Sequence, residues 1–415
     1  MKIAVLSDLH VGIEAKSQDL CPRTLVTRRE KARFDAKQKD YIDAFVRFLK
    51  KEKISADYLL VPGDVTDKGC PAAVKVASDF LEKVRKVLHV QKRHLLFVPG
   101  NHDADWDMYD PKDPDLIKWN YRYAAFQSSK YVFAKINQQG KGDLLNNHFF
   151  KLWRFKDLLV LGYNSSSTDM PRNKTHAGEI VIQHLKRMED CLGKCAFGNK
   201  LRICLLHHHL KKYALPKESE RDSSAADNAV EFLNLLDKYH FDLIIHGHQH
   251  HSFLDGNLGS VPILCAGSFS AEVSSAWEGV VSNQFHLVEI NAKRDGKHAC
   301  GVVKSWSNTI NGWIESEEKK GLHIIGHTRG FGMSIKNPSV ELRIRKELSS
   351  FVRRNRTFLL RRDVMRHLPE LQYLIESKED VIAWCKENIM DGRKWDIFTR
   401  REDNDVVFMR KGKVR

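Results

Sequence analysis

Short apolar runs alternate with stretches of helical periodicity over the N-terminal part of the chain. Six runs have the length of buried strands: residues 2–7, 58–61, 94–98, 158–161, 202–206 and 242–245. Between them, apolar residues recur three or four positions apart over residues 38–53, 74–84 and 225–238, which predicts helices with one buried face. Strands that alternate with helices predict a layered α/β fold.

A cluster of polar residues follows five of these strands. The clusters are Asp8-Leu9-His10, Gly63-Asp64, Gly100-Asn101-His102-Asp103, His207-His208-His209 and Gly247-His248-Gln249-His250. Each cluster alone is a weak signal, but the ordered set is far more specific. Because the loops at the carboxyl ends of neighbouring strands converge in an open α/β sheet, the clusters predict one site.

The pattern changes twice towards the C-terminus. Apolar runs at 285–290 and 301–306 predict strands that close a second sheet against the first, and residues 316–339 are rich in glycine and charge, as a linker or surface excursion would be. Residues 341–366 then hold nine Lys or Arg against three acidic residues in a helical pattern. A helix at 378–389 and a hairpin of 395–400 with 406–411 complete the order expected of a winged-helix module.

These patterns predict an α/β domain at 1–315, a linker at 316–339 and a small basic α+β domain at 340–415, a candidate winged helix. The total of 415 residues agrees with one large domain and one smaller one.

Charge narrows the choice of partners. The chain carries 68 Lys and Arg against 53 Asp and Glu, a net charge of +15, which favours polyanions such as nucleic acid, nucleotides or an anionic membrane. The alternative is a basic surface without a specialised role. No apolar stretch approaches the roughly 18 residues that span a bilayer, so no membrane association is predicted. The eight scattered cysteines predict free thiols in a reducing cytoplasm rather than a disulfide framework.

The donor types in the clusters suit divalent metal ions. Carboxylate, imidazole and amide groups together bind Mn²⁺, Fe²⁺, Zn²⁺ or Ni²⁺, and the lack of a thiolate excludes a structural Zn–Cys site. Two such ions can share a carboxylate and clamp a phosphoryl group between them. We therefore expect two divalent ions as cofactors, with Mn²⁺ favoured.

The ordered set resembles that of the calcineurin-like metallophosphoesterases, a superfamily that includes purple acid phosphatases, cyclic-nucleotide phosphodiesterases and DNA-repair nucleases. The resemblance covers residues 1–315 and implies two packed β-sheets flanked by helices, with a dimetal site at the strand ends. It also implies hydrolysis by a metal-bridging hydroxide, without a covalent enzyme intermediate.

The resemblance further implies a role for each polar residue. The implied metal ligands are Asp8, His10 and His250 for the first ion, Asn101, His248 and one histidine of the triplet for the second, and Asp64 between both. His102 would lie beside the ions and protonate the leaving oxygen or stabilise the transition state, and Asp103 would orient the His102 imidazole.

The histidine triplet departs from the common family pattern. Leu210 follows it where many members have proline, and alignment on the usual spacing selects His208 as the ligand, with His207 as the alternative. His209 could contact the substrate instead. His246 and His251 are expected to be bystanders.

Two basic regions bear on the substrate. The segment after His10 holds Lys16, Arg23, Arg28, Arg29, Lys31, Arg33, Lys37 and Lys39, and leaves from a predicted metal-binding loop. The C-terminal region offers Arg343, Arg345, Arg353, Arg354, Arg356, Arg361 and Arg362 for phosphate contacts. The first region could equally be a solvated loop, and the second a protein-docking or structural module.

We therefore hypothesise a metal-dependent phosphodiesterase that acts on DNA or RNA. The main alternative is a cyclic-nucleotide or other small-nucleotide phosphodiesterase with a C-terminal protein-docking module. A non-catalytic scaffold is disfavoured because no ligand position is lost.

Overall fold

The computed structural model describes residues 1–22, 24, 40–105, 122–128, 130–145, 149–169, 177–212, 225–256, 260–273, 277–294, 298–317, 323–354, 357–389, 395–399 and 406–410. The strands β1 to β17, in chain order, are Lys2–Val5, Tyr58–Val61, Leu95–Phe97, Lys141–Asp143, Phe150–Arg154, Leu158–Tyr163, Leu201–Leu205, Leu243–His246, Ser252–Asp255, Ile263–Ala266, Gln284–Arg294, Ala299–Thr309, Gly312–Glu315, Thr328–Phe331, Thr357–Leu359, Trp395–Thr399 and Val406–Arg410. The helices α1 to α9 are Tyr41–Lys51, Pro71–Val87, Ala124–Gln127, Val132–Gln138, Ile182–Gly193, Ala229–Lys238, Pro338–Arg354, Met365–His367 and Lys378–Asn388.

The two helices nearest the N-terminus form where apolar residues recur at helical spacing. In α1, Tyr41, Phe45 and Leu49 are buried, and they lie four residues apart on one face. Helix α2 begins at Pro71, where proline is tolerated because the first helical N–H has no intrahelical partner. Both helices turn their apolar faces to the same core.

The first sheet has the strand order β13-β12-β11-β1-β2-β3, and β14 pairs with β12 along the edge shared with β13. Strands β1, β2 and β3 run parallel, whereas β11 and β12 are antiparallel to their neighbours. The carboxyl ends of β1, β2 and β3 therefore lie together at one edge.

The second sheet has the order β4-β5-β6-β7-β8-β10-β9, and β6, β7, β8 and β10 are parallel. Alternate side chains of its strands enter different cores: Ile203 faces the core between the two sheets, whereas Cys204 faces α5 and α6. Because both faces are covered, β6 and β8 are buried along their length and largely apolar, as the sequence predicted. The predicted two-sheet architecture with flanking helices is confirmed.

Residues from α7 onward form a third sheet and, together with Cys300, Met333 and Ile335, a third core. Val340, Ile344, Leu348 and Val352 are buried at four-residue spacing along α7, and they pack with residues from the rest of the C-terminal region. The sheet order is β15-β17-β16, all antiparallel. The predicted hairpin is present as β16 and β17, while its turn at 400–405 lies outside the described residues.

The segment 316–339 differs from the expected linker. It contains β14, which extends the first sheet, and the side chain of Phe331 is buried in the main core. Arg329 Nη2 also donates to the Ile375 carbonyl at 3.0 Å, so this segment contacts the C-terminal region. The hydrophobic pattern of this segment is too weak to predict a strand. Its extended conformation comes from pairing with the long β12, which the local sequence does not reveal.

None of the helices in the described part of the chain has the length and apolar character that crossing a membrane requires.

Candidate metal centre

The predicted site residues lie in the loops after β1, β2, β3, β7 and β8, at one edge of the two sheets. The loops are joined by backbone hydrogen bonds that continue the parallel pairing. The Asp8 N–H donates to the Gly63 carbonyl at 3.2 Å, and the His10 N–H donates to the Asp64 carbonyl at 3.0 Å. This pairing fixes the side chains of the first two motifs relative to each other.

Five of these residues have left-handed backbone conformations. Their φ angles are 50° for Asp8, 46° for His10, 48° for Asp64, 75° for His248 and 55° for His250. Residues with side chains adopt this conformation at a cost of about 1–3 kcal/mol each, and such strain concentrates at functional sites. The strain lets successive side chains turn towards one point.

The first group of donors surrounds a point between β1 and β8. His10 Nε2 lies 3.0 Å from His250 Nε2 and 3.7 Å from Asp64 Oδ2. Asp8 Oδ1 lies 3.4 Å from His250 Nε2 and 3.9 Å from His10 Nε2. The His248 N–H donates to Asp8 Oδ1 at 3.1 Å, which holds the carboxylate in place.

The second group shares the Asp64 carboxylate. His207 Nε2 lies 3.1 Å from Asp64 Oδ2 and 3.0 Å from Asn101 Oδ1. The other ring nitrogen, Nδ1–H, donates to the Pro62 carbonyl at 2.9 Å, so the ring presents Nε2 to Asp64 and Asn101. The His248 ring centroid is 5.1 Å from that of His207. Asp64 therefore lies between two clusters of potential ligands.

Burial and charge make both clusters suitable for cations. Burial alone would raise the pKa of Asp8, but hydrogen bonds from His10 and His250 outweigh it and hold that pKa well below its usual range. Burial likewise opposes ionisation of Asp64, yet the nearby imidazoles, His207 foremost, lower its pKa. Among the described residues, no Lys or Arg pairs with either carboxylate. The donor set therefore fits divalent cations, which would neutralise the two buried carboxylates.

His102 lies beside both clusters and is half-buried. Its ring centroid is 4.7 Å from that of His10, and its backbone N–H donates to Asp64 Oδ1 at 2.9 Å. The ring Nδ1–H donates to the Asp67 carbonyl at 3.1 Å. Nε2 is left to face a ligand near the clusters.

Asp103 has a different role from the one expected. Its carboxylate accepts from the Thr66 N–H at 2.9 Å, the Thr66 hydroxyl at 3.0 Å and the Gly100 N–H at 2.9 Å. The expectation that Asp103 orients the His102 ring is therefore corrected, because the backbone carbonyl of Asp67 occupies that position. Burial and the charge of Asp64 raise the pKa of Asp103 to about 7. Asp103 instead joins the loops after β2 and β3.

The sequence profile of calcineurin-like phosphoesterases matches residues 1–252. The chain belongs to this family. The resemblance inferred from the ordered motifs is confirmed, and the protein is a hydrolase of the calcineurin-like phosphoesterase family, whose members depend on two metal ions.

Several known proteins are similar to this phosphoesterase. A probable cyclic nucleotide phosphodiesterase of Vesicomyosocius okutanii subsp. Calyptogena okutanii (strain HA) is 24% identical over 214 residues, 51% of this chain and 70% of that protein. A dimetal phosphatase from Danio rerio is 12% identical with a TM-score of 0.42, covering 74% of this chain and 95% of its own. Purple acid phosphatase PPD1 from yellow lupin, Lupinus luteus, is 12% identical with a TM-score of 0.44, covering 74% and 51%.

The histidine triplet of this phosphoesterase is divided among three environments. His207 faces Asp64 and Asn101, as described above. His208 is equally buried, with its Nδ1 2.9 Å from the Ser165 hydroxyl and its ring centroid 4.4 Å from that of His248. His209 is buried, and its Nε2 is 3.2 Å from the Gln249 amide nitrogen. The geometry favours His207, the alternative in the sequence analysis, as the donor paired with Asn101.

Two residues of this environment were missed from the sequence. Ser165 accepts from the His208 N–H at 3.1 Å, and it follows β6 directly in the run Asn164-Ser165-Ser166-Ser167. Asp67 holds the His102 ring through its carbonyl, and its carboxylate accepts from the Ile13 N–H at 2.8 Å. A polar run after a sixth strand was the available signal for Ser165. No side-chain pattern could reveal a backbone acceptor.

The two expected bystanders, His246 and His251, are buried. Burial lowers the pKa of His246 to about 3, and its Nδ1–H donates to the Gly247 carbonyl at 3.0 Å. His251 packs edge-on against His323, with ring centroids 5.2 Å apart. Neither belongs to the two donor clusters around Asp64.

Proposed function

We propose that this phosphoesterase hydrolyses phosphodiester bonds and that its substrates are nucleic acids. The observation that carries the catalytic part is the pair of donor clusters that share Asp64 Oδ2, with His102 beside them. Such an arrangement fits two cations about 3.5–4 Å apart, the separation of two-metal hydrolases.

We assign Asp8, His10 and His250 to the first cation. We assign Asn101, His207, His208 and His248 to the second cation. Asp64 is shared by both cations. Divalent cations bound there supply Lewis acidity, because they acidify water and polarise the phosphoryl oxygens. The Pro62 carbonyl orients the His207 ring, as carbonyl acceptors do for metal-binding histidines. Mn²⁺ is the ion we expect, and Fe²⁺, Zn²⁺ and Ni²⁺ suit the same donors.

His102 acts on the leaving group in this proposal. The Asp67 carbonyl fixes the tautomer, since it can accept only from a protonated Nδ1. Nε2–H donates its proton to the leaving oxygen, and the imidazole regains a proton from water after the product leaves. The backbone bond to Asp64 Oδ1 keeps the ring close to that carboxylate, and His102, His10 and Asp64 have ligand atoms within 4.8 Å of one another; we propose that His102 serves the leaving group rather than a cation.

Charge and the C-terminal module support a polynucleotide substrate. The net charge of +15 favours polyanions. The order α7, β15, α8, α9, β16 and β17, with β17 central in its sheet, is that of a winged-helix module. Lys346 and Arg354 are exposed on α7. Arg343 and Arg345 instead pair with Glu370 and Glu341, so they contribute less free charge than the sequence predicted.

The remaining basic residues of the sequence analysis lie outside the described residues or have side chains that do. These are Arg23, Arg28, Arg29, Lys31, Arg33, Lys37, Lys39, Arg353, Arg356, Arg361 and Arg362. Of the basic segment after His10, the described part includes Lys16, whose N–H donates to the Ser270 carbonyl at 2.7 Å.

A small-nucleotide phosphodiesterase is the second candidate. Its support is the similarity to a protein named as a probable cyclic nucleotide phosphodiesterase. Helix α9, which would be the groove-facing helix of a winged-helix module, carries Glu379, Asp380 and Glu387 against Lys378 and Lys386. An acidic helix favours protein docking over DNA binding.

The two candidates differ in substrate size. Purified protein with Mn²⁺ would be incubated with bis-p-nitrophenyl phosphate, labelled single- and double-stranded DNA, RNA and cyclic AMP. We expect cleavage of polynucleotide that a His102→Ala variant largely lacks. Turnover restricted to the small diesters would replace the nuclease with the second candidate, and no turnover of any diester would contradict both.

A further inference from the structure

The edge of the sheets opposite the metal centre carries a basic cavity. Arg93 precedes β3, and Phe155 lies in the turn between β5 and β6, so both are at the amino ends of strands whose carboxyl ends lead to the metal centre. The cavity is open and has a volume of about 350 Å³, within the range of small-ligand sites. Its lining spans both sheets.

Three cations line this cavity: Arg93, Lys141 and Arg154. All three are exposed, and in the described part of the chain no carboxylate lies within ion-pair distance of any of them. Arg154 Nη2 contacts Cys195 Sγ at 2.8 Å, and Arg93 Nε donates to Gln91 Oε1 at 3.2 Å. Like charges held together without counter-ions repel one another, and a bound anion would relieve that repulsion.

Two of the cations, Lys141 and Arg154, lie on neighbouring strands β4 and β5. Burial raises the pKa of the Cys195 thiol, while the charges of Arg154 and Lys141 oppose that rise. Lys141 pairs with Leu152, two residues before Arg154 along β5, so both cations lie on one side of the cavity.

An aromatic group forms the apolar wall of the cavity. Phe155 is half-buried, and its ring centroid is 5.1 Å from those of both Tyr58 and His94. Tyr58 and His94 are themselves stacked at 4.4 Å, which supports the Phe155 ring from behind. The Tyr58 hydroxyl donates to the Asp157 carboxylate at 3.3 Å. The cavity thus combines cations with an aromatic surface.

We propose that this cavity binds a nucleotide, with its phosphate on Arg93, Lys141 and Arg154 and its base against Phe155. Arginine and lysine recognise phosphate, and aromatic rings stack with any base. The ligand can be a free nucleotide or a nucleotide within a strand. The cavity contains none of the proposed metal ligands, so the inference does not depend on catalysis at the metal centre.

The test compares matched charge reversals in full-length, Mn²⁺-loaded protein. Lys141→Glu/Arg154→Glu changes the cavity, and Lys186→Glu/Arg187→Glu makes the same change on the exposed face of α5. Affinities for ADP and for a 5′-phosphorylated oligothymidylate would be measured by titration. The wild type and both variants have the same metal centre, so any binding of the probes there is equal in all three. The difference in affinity between the two variants therefore measures binding in the cavity.

We expect the cavity pair to weaken binding of one or both probes by about tenfold or more, and the α5 pair to change it by less than about threefold. Loss for ADP alone identifies a free nucleotide as the ligand, and loss for the oligonucleotide alone identifies a strand. Equal affinities in the cavity pair and the α5 pair would overturn the proposal.

Two controls separate this inference from the proposed function and from damage to the fold. Hydrolysis of bis-p-nitrophenyl phosphate reports the metal centre alone, and should be equal in both pairs and the wild type. Failure of that hydrolysis in every protein would contradict the proposed function and leave the cavity result intact. In the wild type, ADP or the oligonucleotide should slow hydrogen exchange at residues 139–142 and 152–155, and lack of protection there by both would also overturn the inference.

Discussion

The two edges of the sheets are built from the same strands but by opposite physical means. At the carboxyl edge, Asp8 and Asp64 are almost fully buried, their backbones are left-handed, and imidazoles surround them. At the amino edge, Arg93 and Arg154 are exposed, and no carboxylate pairs with them in the described part of the chain. The first edge holds charge that only a bound cation balances well, whereas the second presents charge to solvent. We therefore propose catalysis at the carboxyl edge and ligand binding at the amino edge.

The largest effect should come from removing the shared carboxylate. Asp64→Asn is expected to abolish binding of at least one cation and to lower turnover by about 10³-fold or more, because both clusters depend on that oxygen. The measurement is bound metal together with bis-p-nitrophenyl phosphate hydrolysis. Asp57→Asn, at the exposed amino end of β2, is the matched control and should leave both unchanged. Equal losses of metal and of activity in the two variants would contradict the claim that only the carboxyl edge binds the catalytic metal ions.

His102→Ala should keep both metal ions and lower turnover by about 10²-fold, since we propose that the imidazole donates a proton and does not bind metal. His94→Ala changes a histidine at the other end of β3 and should retain activity. Metal content by mass spectrometry and initial rates decide the outcome. Loss of metal from the His102 variant would make His102 a ligand.

The sequence predicted most of the carboxyl edge and little of the amino edge. Tyr58–Val61 and the five polar clusters were found because apolar runs and their trailing ligands are local signals. The local sequence could not decide between His207 and His208 as a ligand. The positions of Asn101 and Pro62, which are distant in the chain, decide which ring faces Asp64. The Asp67 carbonyl that orients His102 leaves no side-chain signal.

Tertiary pairing explains the elements that were missed. Strands β4, β9 and β14 are short and lie at sheet edges, where pairing with β5, β10 and β12 sets the conformation more than local propensity does. The amino-edge cavity joins residues distant in sequence, Arg93 and Lys141, on different sheets. The composition indicated an excess of positive charge, but it could not show that Arg93, Lys141 and Arg154 line one cavity.

A smaller effect should show which basic surface contacts polynucleotide. Lys346→Glu/Arg354→Glu on α7 is expected to weaken single-stranded DNA binding by about tenfold. The slope of log affinity against log salt concentration should fall by the amount expected for about two lost phosphate contacts. Binding isotherms at several salt concentrations measure both quantities. If only the amino-edge pair Lys141→Glu/Arg154→Glu has this effect, the C-terminal module is a docking or structural domain.

Stability should depend on the protonation of a buried histidine that belongs to neither edge. His286 Nε2–H donates to the Ala266 carbonyl at 2.8 Å, and burial lowers its pKa from 6.5 to about 4. Because the unfolded chain binds this proton more readily, the contribution to stability is complete above pH 6.5 and is lost as the pH falls towards 4. The loss is expected to reach about 3 kcal/mol.

Urea unfolding of the wild type and His286→Gln at pH 7.5 and 4.5 checks this expectation. The variant should lose less free energy of unfolding between the two pH values than the wild type does. The histidines of the carboxyl edge are present in both proteins and contribute equally to the pH dependence. The difference between the two losses of unfolding free energy therefore reports His286 alone. Equal losses would mean that burial does not keep this imidazole neutral.

The most direct test of the account is a titration of metal-free wild-type protein with Mn²⁺, following bound metal and bis-p-nitrophenyl phosphate hydrolysis together. The two clusters that share Asp64 predict that two ions bind per chain and that hydrolysis rises as the second one binds. Full activity with one ion per chain, or with none, would contradict the two-metal site at the carboxyl edge.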